Sequence, residues 1–383
     1  MNLFKKISWV IPALVMSTAL FAESQDVSNY CDPCPKEPPE CDPCYEKSRN
    51  KPYEQGYEIC EGALPKAYNA PARIDICDGW DTFVTASFIY WEILTDQTDL
   101  GIVHFNTVTP NEFEVVKFGT SYEPGFKVGF GTHFFSSDDW DLYVQYTRLH
   151  EIENTSYNPD GKLGIFHRTW SMLGSNTYDL VNITGTIKAS QKFDLDKIDL
   201  ELGRSYYVGK NLTLRPFIGG SGHWVDVNYQ EEFTYSSTLR NDFFKNDSWA
   251  VGPRFGIGSN WIFYEGFRLF GYGAFSLLYT ENDVSGNGEE NITTYTVTKV
   301  ERNILRDVEE LMIGLGWGSY FWSDKWHCDL SVAYEAQRYS HTNYMAQVAQ
   351  MRNMDSGGDI SSNLVKPGDS FLHGLTLTAR IDF

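Results

Sequence analysis

The sequence predicts an all-β fold, a transmembrane antiparallel β-barrel of about twelve strands, with about fourteen or sixteen also compatible with the pattern. Three observations lead to this prediction. Polar and apolar residues alternate with a period of two along most of the chain after residue 81. Aromatic residues form 15% of the chain, and Trp and Tyr concentrate where an apolar phase meets water. The chain starts with an export signal, and its last strand ends on Phe383.

Residues 1–22 have the features of a secretory signal peptide. Lys5 and Lys6 form a positive start, the stretch 7–20 is short and mostly apolar, and Ala22 is a small residue suited to cleavage. An uncleaved membrane helix is the alternative, which the shortness of the apolar run disfavours. Export would place the mature chain in an oxidising compartment, where disulfides persist.

Residues 23–78 are rich in Pro, Glu and Cys, and we expect them to form a disordered periplasmic segment without a core. The segment contains a repeat, Cys31-Asp32-Pro33-Cys34 followed by Cys41-Asp42-Pro43-Cys44. A zinc site and a redox pair are alternatives, but zinc ribbons separate their pairs by about 15–20 residues. No thioredoxin-like pattern surrounds the pairs either. Structural or intermolecular disulfides are favoured for Cys31, Cys34, Cys41, Cys44, Cys60 and Cys77.

Residues 79–383 are predicted to form the barrel. Period-two alternation is clearest in 126–134, 140–147 and 326–337. It also occurs in 249–261, although Pro253 cannot donate to a ladder there and suggests a bulge. Short connections alternate with longer polar stretches near 151–178, 229–246, 281–303 and 341–369, as in outer-membrane barrels. The final strand places on one face Phe371, Leu375, Leu377, Ala379, Ile381 and Phe383.

A secreted β-sandwich is the alternative fold, since it would also alternate with a period of two. A sandwich exposes its polar face to bulk water, whereas here the second face is mostly Gly with isolated charges, which suits a confined interior. Aromatic residues such as Trp140 and Trp326 follow short connections, where lipid head groups would lie. A closed barrel also leaves no unpaired strand edge in lipid. These features favour the barrel.

Charged residues on the small and polar face are the candidate functional residues, because rings of charge set ion preference in pores. The alternative is that opposite charges pair across a filled interior. The phase of Arg215 is ambiguous, and Cys328 falls on the apolar face as a small apolar residue. The candidate pore-lining residues are Lys127, Asp141, Asp199, Glu201, Arg254, Asp329, Glu335 and Arg380.

Other function classes find little support. A net charge of −20 argues against nucleic-acid binding, which needs a basic surface. The glycine-rich stretch 252–258 follows strand periodicity and starts no helix, so it does not predict a nucleotide site. No nucleophile motif is present, and we expect neither an enzyme nor a cofactor; an active site on the rim is the alternative that stays open.

Seven stretches in order along the chain resemble a known family, the pore-forming major outer-membrane proteins of the Legionella type, also met in chlamydia-like bacteria. The resemblance implies a β-barrel porin, often cross-linked by disulfides into a rigid envelope. The double Cys-x-x-Cys segment is outside the pattern of the family. The matching stretches are 86–91, 123–131, 140–143 with 146–147, 199–204, 215–220, 251–256, and 374–378 with Phe383.

The leading functional hypothesis is passive diffusion of small hydrophilic solutes or ions across a bacterial outer membrane. The acidic excess hints at cation preference, although much of it lies in the N-terminal segment and loops. The alternative is a structural or adhesive surface barrel with a plugged lumen. Expected partners are outer-membrane lipid, the barrel-assembly machinery, for which Phe383 would be the signal, and the same chain or other Cys-rich envelope proteins through disulfides.

Overall fold

The computed structural model describes residues 71–74, 76, 79–105, 112–134, 140–158, 164–168, 179–181, 186–235, 238–264, 266–290, 293–347 and 366–383. Almost all of them lie in strands, and residues 345–347 form one helical turn. The strands are β1 (Thr82–Thr95), β2 (Gly101–Phe105), β3 (Glu112–Val116), β4 (Tyr122–His133), β5 (Trp140–Tyr157), β6 (Gly164–Arg168), β7 (Asp179–Val181), β8 (Ile187–Arg204), β9 (Tyr206–Tyr207), β10 (Leu212–Tyr235), β11 (Thr238–Tyr264), β12 (Phe267–Glu290), β13 (Thr293–Phe321), β14 (Trp326–Asn343) and β15 (Gly368–Asp382).

Ten of these strands close into an antiparallel barrel. Its order is β1, β4, β5, β8, β10, β11, β12, β13, β14 and β15, and the ring closes between β15 and β1. Ser87, for example, lies opposite Thr378 on one side and Lys127 on the other. The predicted all-β antiparallel barrel is confirmed. In barrels of this class the short connections are periplasmic, which places the start of β1 and the end of β15 at the periplasmic end.

The barrel has ten strands rather than about twelve, because β10 to β13 are much longer than expected. Over their described residues, the stretches 229–246 and 281–303, expected to be loops, continue as strands. β10 ends at Tyr235 and β11 begins at Thr238, while β12 ends at Glu290 and β13 begins at Thr293. Four short strands form a separate sheet in the order β3, β2, β6 and β7, within the long connections of the outer end. Long strands and this extra sheet use residues that two further barrel strands would need.

The strands β8, β10 and β11 each have two parts with opposite hydrophobic faces. In the lower part of β8, Ile198 and Leu200 point outward and Lys197 is buried inside. Further up, Phe193 and Leu195 are fully buried inside, while the outward residues 194 and 196 are aspartates. We call the outward apolar zone the lipid-facing band, and the upper zone, with a polar outside and an apolar inside, the protruding part.

The same inversion occurs on β10 and β11. Trp224 and Trp249 lie opposite each other on the outer surface, at the upper limit of the lipid-facing band. Directly above them, Asp226 lies opposite Asp247 on the outside, whereas Val227 is fully buried inside. Because Trp prefers the boundary between lipid and water, this level marks the outer membrane surface. The protruding part therefore stands outside the membrane.

The register is regular, with a few local exceptions. Pro253 causes no register shift; residues on both sides of it keep the same pairing with β12, so the expected bulge is absent there. Gly266 adopts a φ of +84° in the tight turn between β11 and β12, and a Cβ atom there would lie 2.3 Å from the carbonyl oxygen of Gly318. Only glycine suits that turn.

No helix within the described ranges is long and apolar enough to cross a membrane.

Candidate functional site: the barrel lumen

The lumen inside the lipid-facing band is lined by charged residues that form ion pairs. Lys127 on β4 donates to both carboxylate oxygens of Glu335 on β14, at 2.6 and 2.8 Å. Both side chains are almost fully buried, and Thr376 donates to the same carboxylate at 3.0 Å. The Lys127 ammonium also lies 4.6 Å from the ring centroid of Trp91, in a cation–π contact. These contacts fix the Lys127 ammonium on one side of the lumen.

A second cluster crosses the lumen from β8 to β13. Glu310 accepts hydrogen bonds from both Lys197 and Arg254, the latter at 3.0 Å from its Nη2. Lys197 also lies 3.1 Å from Asp199. Among these four residues the exposed fraction never exceeds 7%. Because one carboxylate holds two buried cations, Glu310 is the electrostatic centre of this cluster.

Arg215 links this cluster to the wall of β5. Its Nε donates to Asp141 at 3.0 Å, and its Nη1 donates to Glu201 at 2.8 Å. The ambiguous phase of Arg215 is thereby resolved, because its side chain faces inward. Nearer the periplasmic end, Arg268 pairs with Asp329, and Arg380 pairs with Asp382. The membrane-spanning lumen therefore holds closely compensated charges.

A cavity of about 360 Å³ lies among these ion pairs. Residues 72–74 line it from the periplasmic side, where the Ala72 amide donates to the Ser205 carbonyl at 3.0 Å. Arg73 forms an ion pair with Asp81, so this segment, the periplasmic strap, runs from the β8 side of the barrel to β1. The charged side chains around the cavity are Arg73, Lys127, Arg215, Arg254, Arg268, Arg380, Asp141, Glu201, Glu310, Asp329 and Glu335.

The outer half of the lumen is closed by a buried apolar core. Besides side chains of the wall, the core contains residues from two connections, which we call the outer plug: Leu100, Val103 and Val116 from the β1–β4 connection, and residues 344–346 after β14. Phe118 reaches across to Tyr229 of β10, with ring centroids 5.8 Å apart. Close apolar packing of this kind excludes water from the core that these described residues form.

Hydrogen bonds at the end of β14 hold residues 344–346 of the outer plug in place. The Asn343 side chain accepts from the Met345 amide at 3.0 Å and donates to the Asp96 carbonyl at 3.0 Å. Arg306, fully buried on β13, donates to the carbonyls of Ser340 at 3.0 Å and His341 at 3.1 Å. The sequence analysis did not single out Arg306, since it lies above the stretch in which charges alternate with lipid-facing residues.

All eight predicted pore-lining residues lie on the inner face, and each is part of an ion pair with an opposite charge. Their role in a pore stays a prediction. The six disulfide candidates, Cys31, Cys34, Cys41, Cys44, Cys60 and Cys77, lie outside the described residues, while Cys328 is a free, half-buried thiol on the outer face. The ring of Phe383 lies 5.6 Å from that of Trp326, and its role as an assembly signal is likewise a prediction. The residues that the sequence analysis missed are Lys197, Arg268, Arg306, Glu310 and Asp382.

For several of these missed residues, the sequence contains a signal that places them on the inner face. Lys197 precedes Asp199 by two positions and therefore shares its face, and Asp382 shares that of Arg380. Glu310 lies just after the stretch 281–303, whose polar residues predict a loop, and its own phase follows only once that stretch is a strand. No group of three or more His, Cys, Asp or Glu side chains suited to a metal occurs among the described residues.

An apolar outer belt, a charged lumen and complete strand pairing define a β-barrel protein of the bacterial outer membrane. The chain belongs to the family of the Legionella pneumophila major outer membrane protein precursor, whose profile matches residues 75–381. The resemblance noted from the sequence is thereby confirmed.

The similarity of this chain to solved structures is weaker. A FadL homologue of Pseudomonas aeruginosa is 8% identical, with 86% of this chain and 95% of that chain covered and a TM-score of 0.26. The toluene transporter TodX of Pseudomonas putida is 7% identical, with 85% and 95% covered and a TM-score of 0.26. Ail, the attachment invasion locus protein of Yersinia pestis, is 8% identical, with 57% and 99% covered and a TM-score of 0.23. Comparison with curated proteins gives no match. The family assignment rests on the profile match alone.

Proposed function

We propose that this chain is a gated outer-membrane pore for small hydrophilic solutes or ions, closed in the form described above. Diffusion through it would be passive, with no cofactor and no chemical step. The observation that carries the proposal is the polar cavity of about 360 Å³ inside the lipid-facing band. The interior of the protruding part contains instead a cluster of buried apolar side chains, with buried polar residues such as Asn246 and Asn282 beside it.

Opening would require movement of the outer plug. Leu100, Val103 and residues 344–346 come from connections between strands, so they can leave the lumen without breaking the barrel ladder. Once open, the pore should discriminate weakly between ions. Six basic and five acidic side chains line the cavity, so the charge of −20 on the whole chain does not extend into the lumen. This balance argues against the cation preference that the acidic excess suggested.

A closed structural or surface-binding barrel is the second candidate. The observation that favours it is the apolar core of the protruding part, in which Phe193, Leu195 and Val227 of the wall are fully buried. These side chains narrow the outer lumen even without the plug. In that case the ion pairs below would act only to fill the membrane-spanning interior.

Planar-bilayer recording separates the two candidates. We would compare the refolded wild type with two plug variants: a double variant Tyr344→Ser with Met345→Ser, and a chain with residues 98–118 replaced by a short Gly-Ser linker. The gated pore predicts a nearly silent wild type and stepwise current in the variants. Silence in all three, with heat-modifiable gel mobility retained, would support the closed barrel. Equal current in all three would show that the plug does not gate.

We further propose that the cysteines of residues 31–77 link the protein to copies of itself or to other Cys-rich envelope proteins. Their number and their Cys-x-x-Cys spacing in an exported chain support this. Non-reducing gels of isolated outer membranes should show oligomers that collapse on reduction. A monomer on such gels after mild oxidation would rule out the cross-links while leaving the pore proposal untouched.

A further inference from the structure

Arg306 differs from the other arginines of the lumen, because its buried charge is not balanced by an acid. Arg215, Arg254, Arg268 and Arg380 each form an ion pair with an aspartate or glutamate. Arg306 is fully buried, yet within the described ranges no carboxylate pairs with it. Its charge therefore lies in the apolar core without a counter-charge.

The four hydrogen bonds that the Arg306 guanidinium makes with described residues all go to neutral oxygens. Its Nη1 donates to the Ser248 hydroxyl at 3.2 Å, and its Nη2 donates to the Asn282 side-chain oxygen at 3.0 Å. Its other two bonds go to the Ser340 and His341 carbonyls. These four bonds occupy four of the five N–H donors of a guanidinium and leave one on Nη1, beside Ser248.

Asn246 supplies an independent observation at the same place. It precedes Ser248 by two residues on β11, so both side chains point inward from the same face of one strand. Asn246 is fully buried, and among the described residues neither its amide nitrogen nor its amide oxygen has a hydrogen-bond partner. A buried amide without partners costs about 1–3 kcal/mol, so a polar species beside it is expected.

We propose that Arg306 and Asn246 hold a small monovalent anion, such as chloride, in the core of the protruding part. The free Nη1 hydrogen of Arg306 and the amide hydrogens of Asn246 would donate to it. A water molecule could satisfy Asn246 but not the charge, and an unpaired buried cation is far more costly than an unpaired amide. The anion is a structural component of the fold, independent of whether the barrel conducts.

Anion-dependent thermal stability tests this site. The wild type is refolded from urea into detergent micelles in chloride-free sodium gluconate, because gluconate is too large to enter the core. Sodium chloride or sodium bromide then replaces gluconate at constant ionic strength, and the midpoint of heat-modifiable gel mobility is measured. The midpoint should rise by about 2–4 °C and saturate, since an anion that binds only the folded chain stabilises it by mass action.

Three variants make the test specific. Arg306→Met should remove the anion response, and Asn246→Ala should shift it to higher chloride concentration. Arg338→Met is the matched control, because Arg338 pairs with Asp369 on the outer surface and should keep the full response. Equal midpoints of the wild type in chloride and gluconate would overturn the proposal, as would equal responses in the wild type and Asn246→Ala. If Arg306→Met does not fold, crystals of the wild type grown in bromide decide, since an anomalous peak must contact the Arg306 guanidinium.

Discussion

The lipid-facing band and the protruding part are built from the same strands by opposite rules. On β8, Leu200 faces lipid and Asp199 is buried in the lumen, whereas a few residues above, Leu195 is buried and Asp196 faces water. The phase of the alternation shifts between Leu195 and Ile198, without any break in the ladder. The comparison shows that pairing sets the shape of the barrel, while the surrounding solvent decides which face is apolar.

The largest effect should come from the centre of the charged lumen. Glu310→Leu leaves Lys197 and Arg254 buried without their shared carboxylate, which should cost about 3–5 kcal/mol of unfolding free energy. Urea unfolding in micelles measures this loss. Glu309→Leu is the control, since the Glu309 side chain is 55% exposed on the outer face. Equal losses in the two variants would mean that the lumen cluster is solvated and contributes no special stability.

Replacing two leucines of β8 compares the apolar core directly with the lipid-facing band. Leu195→Ala opens a cavity in the apolar core and should cost about 3 kcal/mol, through lost transfer free energy plus the cavity. Leu200→Ala faces lipid, which fills the space, so it should cost about 1–2 kcal/mol from transfer alone. Urea unfolding of both variants gives the difference. Similar values would show that the protruding part is not packed like a soluble core.

A smaller, pH-dependent effect should arise just above the lipid-facing band. Burial and the facing carboxylate of Asp247 raise the pKa of Asp226 from 3.8 to about 6. The folded chain then holds this proton more tightly than the unfolded chain, so stability should fall as pH rises from about 4 to about 6. Solvent screening keeps the expected loss below about 1 kcal/mol.

Asp226→Asn should remove this slope in unfolding measured between pH 4 and pH 8. Asp194→Asn is a control, because Asp194 should give stability the opposite pH dependence. Although burial opposes the shift, hydrogen bonds from Lys192 and His150 lower the pKa of Asp194, so its replacement should weaken the fold at neutral pH. A slope that persists in Asp226→Asn would assign the pH dependence to another group.

The smallest effect is expected for an ion pair on the outside of the protruding part. Arg148 pairs with Asp196 at 2.6 Å, but its side chain is 45% exposed. Arg148→Ala should change the unfolding free energy by about 0.5 kcal/mol or less, as for most exposed pairs. A loss as large as that of Glu310→Leu would show that the outer surface is shielded from water, against the membrane boundary inferred here.

Local sequence pattern predicted the faces of the strands well. The final strand and the stretch 126–133 have the predicted outward apolar face, because a period of two fixes which side chains share a side. The sequence pattern does not show which charged residues pair across the lumen. Lys127 and Glu335 are 208 residues apart, and only the closure and shear of the whole barrel bring them together.

The sequence also did not reveal how far the strands extend. The stretch 229–246 is polar on its outer face, and in a membrane barrel such polarity predicts a loop. Its inner face carries Phe244 and Tyr229, fully buried, which is the pattern of an ordinary soluble sheet. Overlooking this second pattern led to the excess of predicted strands, and it also hid the outer plug and the site around Arg306.

The inversion on β8, β10 and β11 also fixes how deep the barrel can sit. Sinking by two residues would bring Asp194, Asp226 and Asp247 into the hydrocarbon, and rising would expose the apolar belt below Trp224 to water. The eleven residues of β10 from 225 to 235 then extend roughly 25–30 Å above the membrane, at about 3.3 Å per residue and a tilt of about 40°. The described parts of the two hairpins formed by β10 to β13 therefore extend to a set height above the cell surface.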